Sequence, residues 1–202
     1  MKLYHFTAIS KLKSILGEGL TRGEVVVDFN DVLNGVNLTN DPSSSGHGLC
    51  NAEFLTPELT DKLGLQLAAT RPVPFFPNKR KVRITVNVPN GSVTRWLRWA
   101  SKNVDDGTRE ALIRSGGGIA KARSWYFSFD PIPTDRFVSV EIRQHGEWIA
   151  YHEYKGTMEE EFSDQAMLTG YRHWGDRLRV GRTQSFLDQL DQALASESAG
   201  AA

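Results

Sequence analysis

The first forty residues of this chain contain the side chains best placed to contact a ligand. Residues 2–6 predict a short strand that carries His5, and Thr7 follows directly after it. An imidazole and a hydroxyl at the end of a strand lie at the mouth of a sheet, where both can hydrogen-bond to a bound molecule. We therefore take His5 and Thr7 as the first candidate binding residues. In the alternative interpretation, His5 is a partly buried strand residue bonded to a backbone carbonyl.

The elements that follow place these side chains. Apolar residues spaced by three and four predict a helix that starts near Ser10, its expected N-cap, and ends at Gly17 or Gly19. Residues 35–39 then predict a second strand, which ends in Thr39.

A loop rich in proline, serine and glycine occupies residues 41–48 and contains His47. Small residues let a backbone approach a phosphate, and successive N–H groups can form an anion-binding nest. His47 would then contact a phosphate or exchange a proton with a substrate. The alternative is a flexible surface loop in which this histidine has no role.

The rest of the chain predicts further strands and helices, and no interdomain linker separates them. We expect a single α+β domain over residues 1–195, followed by a disordered tail at 196–202. The predicted strands are 82–88, 125–129, 137–142 and 147–154, with a proline-stiffened turn at 130–135 and either a strand or a crossing loop at 24–31. The predicted helices are 56–69, a stretch starting at Ser92 or Thr94, 108–114 and 183–194, with an extended connector at 71–81.

Aromatic residues on these strands include candidates for stacking on a flat ligand. Tyr126 should face opposite Trp125 and Phe127, because side chains alternate along a strand. Tyr4 and Phe6 lie on the first predicted strand. Aromatic residues on strands usually belong to the core, and that is the alternative interpretation for all of them.

One carboxylate on a late strand is a candidate acidic group. Val138, Val140 and Ile142 should share one face of their strand, so that Ser139 and Glu141 point the other way. That face is either solvent or a cleft.

Composition excludes several classes of function. The 202 residues include 24 basic and 24 acidic side chains, so the net charge of zero argues against a general electrostatic nucleic-acid binder. Cys50 is the only cysteine, and the five histidines show no metal-ligand spacing, so we expect neither a disulfide nor a metal site. No long apolar run occurs, which favours a cytoplasmic protein with no membrane partner.

The order of the motifs resembles the ADP-ribosyltransferase superfamily, which includes diphtheria-toxin-like transferases, DarT-type DNA-modifying enzymes and RNA 2′-phosphotransferases. That group opens with a strand ending in His-Gly-Thr or a similar triplet, a helix with a Gly-Leu exit, and a strand ending in Leu-Ser or Leu-Thr. The matching segments here are Leu3-Tyr4-His5-Phe6-Thr7, Gly19-Leu20, Gly35-Val36-Asn37-Leu38-Thr39 and the late strand with its proline turn at 125–133.

The resemblance implies a split β-sheet core flanked by helices, and NAD as substrate. Loss of nicotinamide from NAD passes through an oxocarbenium-like state, which needs a group to hold the ribose, a ring to stack on nicotinamide and a group to stabilise positive charge. By resemblance His5 would hold the ribose, Tyr126 would stack and Glu141 would stabilise the cation. The pocket would also include Thr7, Thr39 and His47.

The implied function is NAD-dependent transfer of ADP-ribose to a protein or nucleic acid, in the manner of a bacterial or phage toxin. The late strand of this chain begins Ser124-Trp125-Tyr126 and lacks the glutamate of many relatives, so Glu141 or Glu153 would replace it. One alternative is a non-catalytic module that binds a nucleotide or a partner. Another is an RNA 2′-phosphotransferase-like enzyme, which the basic cluster within residues 71–83 would favour.

Overall fold

The computed structural model describes residues 1–28, 31–51, 54–55, 73–75 and 78–156. The strands in this part are β1 (Lys2–Thr7), β2 (Glu24–Val26), β3 (Val32–Asn34), β4 (Val36–Thr39), β5 (Phe54–Leu55), β6 (Val73–Phe75), β7 (Val82–Asn87), β8 (Thr94–Arg95), β9 (Trp125–Ser128), β10 (Phe137–Gln144) and β11 (Glu147–Ala150). The α-helices are α1 (Ile9–Glu18), α2 (Trp96–Asn103), α3 (Asp106–Ser115) and α4 (Ile119–Ala122). The helices predicted at 56–69 and 183–194 and the tail at 196–202 lie outside the described residues.

The largest sheet contains seven strands in the order β11-β10-β7-β1-β4-β9-β8, and every neighbouring pair is antiparallel. Two small sheets, β2–β3 and β5–β6, accompany it. Helix α1 packs on one face of the large sheet and α2 on the other. The predicted α+β class is confirmed as an open antiparallel sheet flanked by helices.

The large sheet has a weak junction between its two central strands. β1 pairs with β7 at six positions, but it pairs with β4 at the single position Tyr4–Thr39. We call this junction the seam. It divides the sheet into a four-stranded set (β11, β10, β7, β1) and a three-stranded set (β4, β9, β8).

Alternation along the strands divides the side chains between two faces. On the face covered by α1, Leu3, Ile84 and Leu38 form one core cluster with Ile9 and Leu12 of the helix. On the face covered by α2, a second cluster contains Phe127 of β9 together with the helix residues Trp96 and Ala100. We call these the α1 face and the α2 face.

The two prolines between β9 and β10 suggest a local turn, but these strands are not adjacent in the sheet. Three strands, β4, β1 and β7, separate β9 from β10 in the sheet, so the connection must cross the α1 face. Leu20, just after α1, forms an antiparallel bridge with Ile132, and both side chains are buried. The connection therefore covers part of the core.

Packing and capping set the helix starts. α1 begins at Ile9, one residue before the predicted N-cap Ser10, since Ala8 and Ile9 are both buried. α3 begins before the predicted Thr108 because the Asp105 carboxylate accepts the Thr108 N–H at 2.9 Å. None of the helices in the described ranges is long and apolar enough to span a membrane.

Candidate functional site

A cleft of about 760 Å³ opens beside the seam. Its walls come from β1, α1, the segment leading into β2, β4, β9 and the loop around residues 47–49. Glu141 is not among the residues that line it. The structure brings the other predicted site residues together there, namely His5, Thr7, Thr39, His47 and Tyr126.

His5 lies at the seam, and its ring makes a hydrogen bond to β4 where the backbone of β1 would otherwise do so. The Tyr4–Thr39 pairing places Asn37 opposite Phe6, but the Asn37 carbonyl accepts a hydrogen bond from His5 Nδ1 at 2.8 Å. Because a carbonyl oxygen only accepts, Nδ1 carries the proton. Nε2 is then unprotonated and has no hydrogen-bond partner among the described residues. The carbonyl contact of the alternative interpretation is present, and the other ring nitrogen stays available to a ligand.

The surroundings of His5 favour the neutral ring. Burial lowers the pKa of the imidazole most, the hydrogen bond to Asn37 opposes this effect, and the nearby charge of Lys79 lowers the pKa further. The pKa therefore lies below the usual value for histidine. A neutral ring with a free Nε2 can accept a hydrogen bond from a hydroxyl group.

The two threonines lie at strand ends in the cleft, and both are buried. The Thr39 hydroxyl already donates to Ser124 Oγ at 2.8 Å and accepts the Asp41 N–H at 3.0 Å. The Thr39 hydroxyl proton is thus already donated within the protein. Thr7 is the last residue of β1, two positions after His5. A ligand-binding role for either hydroxyl stays a prediction.

Both ring nitrogens of His47 are bonded, one to the body of the protein and one within its own loop. Nδ1 accepts the Trp125 indole N–H at 2.8 Å, so Nε2 carries the proton and donates to the Ser43 carbonyl at 3.1 Å. The His47 backbone N–H donates to the Gly116 carbonyl at 2.8 Å. Both ring nitrogens are bonded within the protein here, and the predicted acid–base or phosphate role stays a prediction.

An ion pair adds to this anchoring. Lys121 Nζ lies 2.5 Å from Asp41 Oδ2. Burial raises the pKa of the Asp41 carboxyl, but the hydrogen bonds from Lys121 and the Ser43 N–H outweigh it, and the pKa ends below its usual value. The loop at 41–48 is thus held in place, and His47 and Gly48 at its end line the cleft.

We expect stability to fall with pH below about 6.5, the value of an unperturbed histidine. Burial, and then the charge of Lys121, lower the pKa of His47, and burial also lowers that of His5. Both histidines therefore gain protons more readily in the unfolded chain, so their contribution is complete above this pH and is lost below it. Urea unfolding at pH 7.5 and 5.5 tests this. A midpoint that does not decrease at pH 5.5 contradicts it.

Tyr126 faces opposite Trp125 and Phe127, as the alternation predicts. The residue is 5% exposed and belongs to the core cluster on the α1 face, at the edge of the cleft. The guanidinium carbon of Arg95 lies 5.6 Å from the ring centroid. Of the other aromatic candidates, Phe6 stacks on the His47 ring with centroids 6.0 Å apart. Stacking of a ligand on Tyr126 stays a prediction.

Glu141 lies on the α2 face, the opposite face from His5. Arg83 Nε and Nη2 donate to the two oxygens of its carboxylate at 3.0 and 2.8 Å. The same guanidinium lies 4.5 Å from the Trp148 ring centroid. A β-bulge next to Phe137 turns Val138 outward, 61% exposed, away from the face predicted for it. The structure therefore does not bring Glu141 to the cleft.

Replacing Glu141 by glutamine should reduce stability and leave the cleft unchanged. The substitution removes the charge that pairs with the half-buried Arg83, so we expect a loss of about 2 kcal/mol in unfolding free energy. Urea denaturation measures the loss of stability. Ligand binding to the folded variant tests whether the cleft is unchanged. A variant with wild-type stability and no ligand-dependent activity contradicts this interpretation and supports a chemical role for Glu141.

Five charged residues line the cleft: the cations Lys11, Arg22 and Lys79 and the carboxylates Glu18 and Glu24. Lys79 belongs to the basic cluster predicted within residues 71–83. The other four were not identified from the sequence as site residues, because isolated charges near a helix end are typical of any surface. No group of histidine, cysteine and carboxylate residues in the described ranges could hold a metal ion.

No protein-family model, no curated protein and no solved structure matches this chain. Function is therefore inferred from the cleft itself. Two facts have the most weight: His5 presents an open Nε2 at the seam, and the Glu141 carboxylate lies on the other face of the sheet.

Proposed function

We propose that this protein is an NAD-dependent ADP-ribosyltransferase, which transfers ADP-ribose to a protein or nucleic acid and releases nicotinamide. Its fold would be of the ADP-ribosyltransferase type, with the seam as the split of the sheet. The single observation that carries this proposal is the His5 ring at the seam, neutral, fixed by Asn37 and free at Nε2 beside a large cleft.

The cleft offers groups that suit the diphosphate, a ribose and the nicotinamide of NAD. Its volume of about 760 Å³ lies within the range of ligand sites. Lys11, Arg22 and Lys79 supply positive charge for a diphosphate. His5 Nε2 can accept from a ribose hydroxyl, and the ring of Tyr126 at the cleft edge suits the nicotinamide.

The reaction separates charge at one carbon atom. The bond between ribose C1′ and the nicotinamide nitrogen breaks, and its electron pair neutralises the nicotinamide ring. C1′ then has oxocarbenium character until a nucleophile of the acceptor bonds to it and loses a proton to a base or to solvent. In this proposal, His5 and the other residues around the cleft hold the ribose in place while the bond breaks.

A non-catalytic nucleotide-binding module is the second candidate, and the position of Glu141 favours it. If no other acidic group faces the ribose, the cleft would bind NAD without cleaving it. The two candidates differ in nicotinamide release and not in NAD binding.

NAD labelled in the nicotinamide ring or in the adenine distinguishes them. NAD labelled in the nicotinamide ring should release free labelled nicotinamide. NAD labelled in the adenine should give labelled macromolecules after incubation with a bacterial lysate. Binding of NAD without release of nicotinamide contradicts the transferase proposal and supports the binding module. Transfer of phosphate from RNA to NAD would instead indicate the phosphotransferase chemistry.

A further inference from the structure

We propose that Glu24 is the acidic group that faces the ribose in this cleft and stabilises the positive charge at C1′. This inference rests on the proposed function and assigns it a residue that the sequence did not indicate. Two carboxylates line the described cleft, Glu24 at the start of β2 and Glu18 at the end of α1.

The alternation of β2 points Glu24 at the cleft. Its neighbour Val25 is 1% exposed and packs in the cluster with Trp96 and Phe127 on the α2 face. Side chains on either side of Val25 therefore point the other way, and both Glu24 and Val26 line the cleft. The direction of Glu24 is thus set by burial of the residue next to it.

Asn37 connects Glu24 to His5. Its side-chain Nδ2 donates to the Glu24 carbonyl at 2.8 Å, and its own carbonyl accepts from His5 Nδ1 at 2.8 Å. The backbone of β2 is further fixed where Gly35 N–H donates to the Gly23 carbonyl at 3.2 Å. One residue of β4 therefore holds the imidazole and the backbone of the carboxylate-bearing strand in fixed relation.

The Glu24 carboxylate is not used elsewhere. Among the residues that the structure describes, it forms no hydrogen bond or ion pair, and it is half-buried. Glu18 is exposed and ends a helix, where the helix dipole disfavours negative charge. A partly buried charge acts on a nearby cation through less water than an exposed one, so its field is stronger.

In the step assigned to Glu24, the carboxylate forms no bond to the substrate. As the C1′–N bond breaks and its electron pair moves to nicotinamide, positive charge grows on C1′ and the ring oxygen. The carboxylate lowers the energy of that state relative to bound NAD. The attacking group of the acceptor then bonds to C1′ and releases its proton to solvent.

A binding experiment tests the location of the charge without turnover. NAD⁺ carries a cationic nicotinamide that ADP-ribose lacks, so the wild type should bind NAD⁺ in preference to ADP-ribose. Glu24→Gln should reduce the ratio of the two affinities by about three- to fivefold. Glu110→Gln, an exposed change on α3 outside the cleft, serves as the control and should leave the ratio unchanged. An unchanged ratio in Glu24→Gln overturns the proposal.

Nicotinamide release tests the chemical role. Glu24→Gln should slow release by about 100-fold or more, while its melting temperature stays near that of the wild type, because the backbone bond to Asn37 remains. Release within threefold of the wild type overturns the role of Glu24 and leaves the proposed function standing. Loss of release in Glu18→Gln with full release in Glu24→Gln assigns the role to Glu18. A wild type that binds no NAD overturns the proposed function, and the role of Glu24 with it.

Discussion

Replacing His5 by alanine is expected to reduce NAD affinity about 10- to 100-fold and to reduce nicotinamide release at least as much. The ring spans the protein and the ligand: Nδ1–H donates to the Asn37 carbonyl, and Nε2 is the free acceptor. Alanine removes both ends. Removing the acceptor leaves a ligand hydroxyl unsatisfied in a partly buried site, which costs about 1–3 kcal/mol, and this cost brackets the expected loss of affinity.

Two amide substitutions separate the two ends of the ring. Asparagine at position 5 places an N–H near the position of Nδ1, so it should keep the bond to Asn37 and the fold. Glutamine reaches farther and should recover part of the binding. The two variants are compared by calorimetry with NAD and by thermal unfolding. If the asparagine variant binds NAD as tightly as the wild type, Nε2 has no role in binding.

Replacing Gly116 by alanine is expected to destabilise the protein by about 2–3 kcal/mol. A Cβ at this position would lie 2.2 Å from Cη2 of the Trp125 ring and 3.0 Å from the Leu112 carbonyl. The indole cannot move away freely, because it donates to His47 and packs edge-on against Trp96 with centroids 5.1 Å apart. The backbone angle φ of −82° suits any residue, so the effect is steric.

A double-mutant cycle measures that steric effect. Trp125→Leu removes the atoms that the new methyl group would meet, so Gly116→Ala should cost clearly less in that background. Gly17→Ala is the matched control, because its Cβ would have no neighbour within 4 Å and alanine favours the helix. It should raise the unfolding free energy by about 0.5–1 kcal/mol. An equal cost of Gly116→Ala in both backgrounds contradicts this account.

Much of the regular structure within the described residues was predictable, because it depends on local pattern. The alternation of β7 and the opposite directions of Trp125 and Tyr126 follow from a period of two, and the structure shows both. Strand order does not follow from local pattern. The prolines near Ile132 predict a turn, but the strand order and the pairing of Leu20 with Ile132 show that the chain crosses the sheet there.

The site was predictable in part, and the misses have physical causes. Alternation correctly turned Glu141 away from Ile142, but it does not say whether that face meets a cleft or a partner such as Arg83. The role of His47 depends on Trp125, 78 positions away in the chain. The direction of Glu24 could not be predicted, because the three residues of β2 are too few to show the alternation of a strand.

The seam has a mechanical consequence for the whole sheet. Elsewhere ladders of backbone hydrogen bonds resist rotation of one strand against the next, but β1 and β4 share one register pair and one bond from a side chain. Few bonds oppose rotation of the two strand sets about the seam, so the sheet is most compliant where the cleft lies. A ligand bonded to both sides would act as an additional rung, and binding would stiffen the sheet.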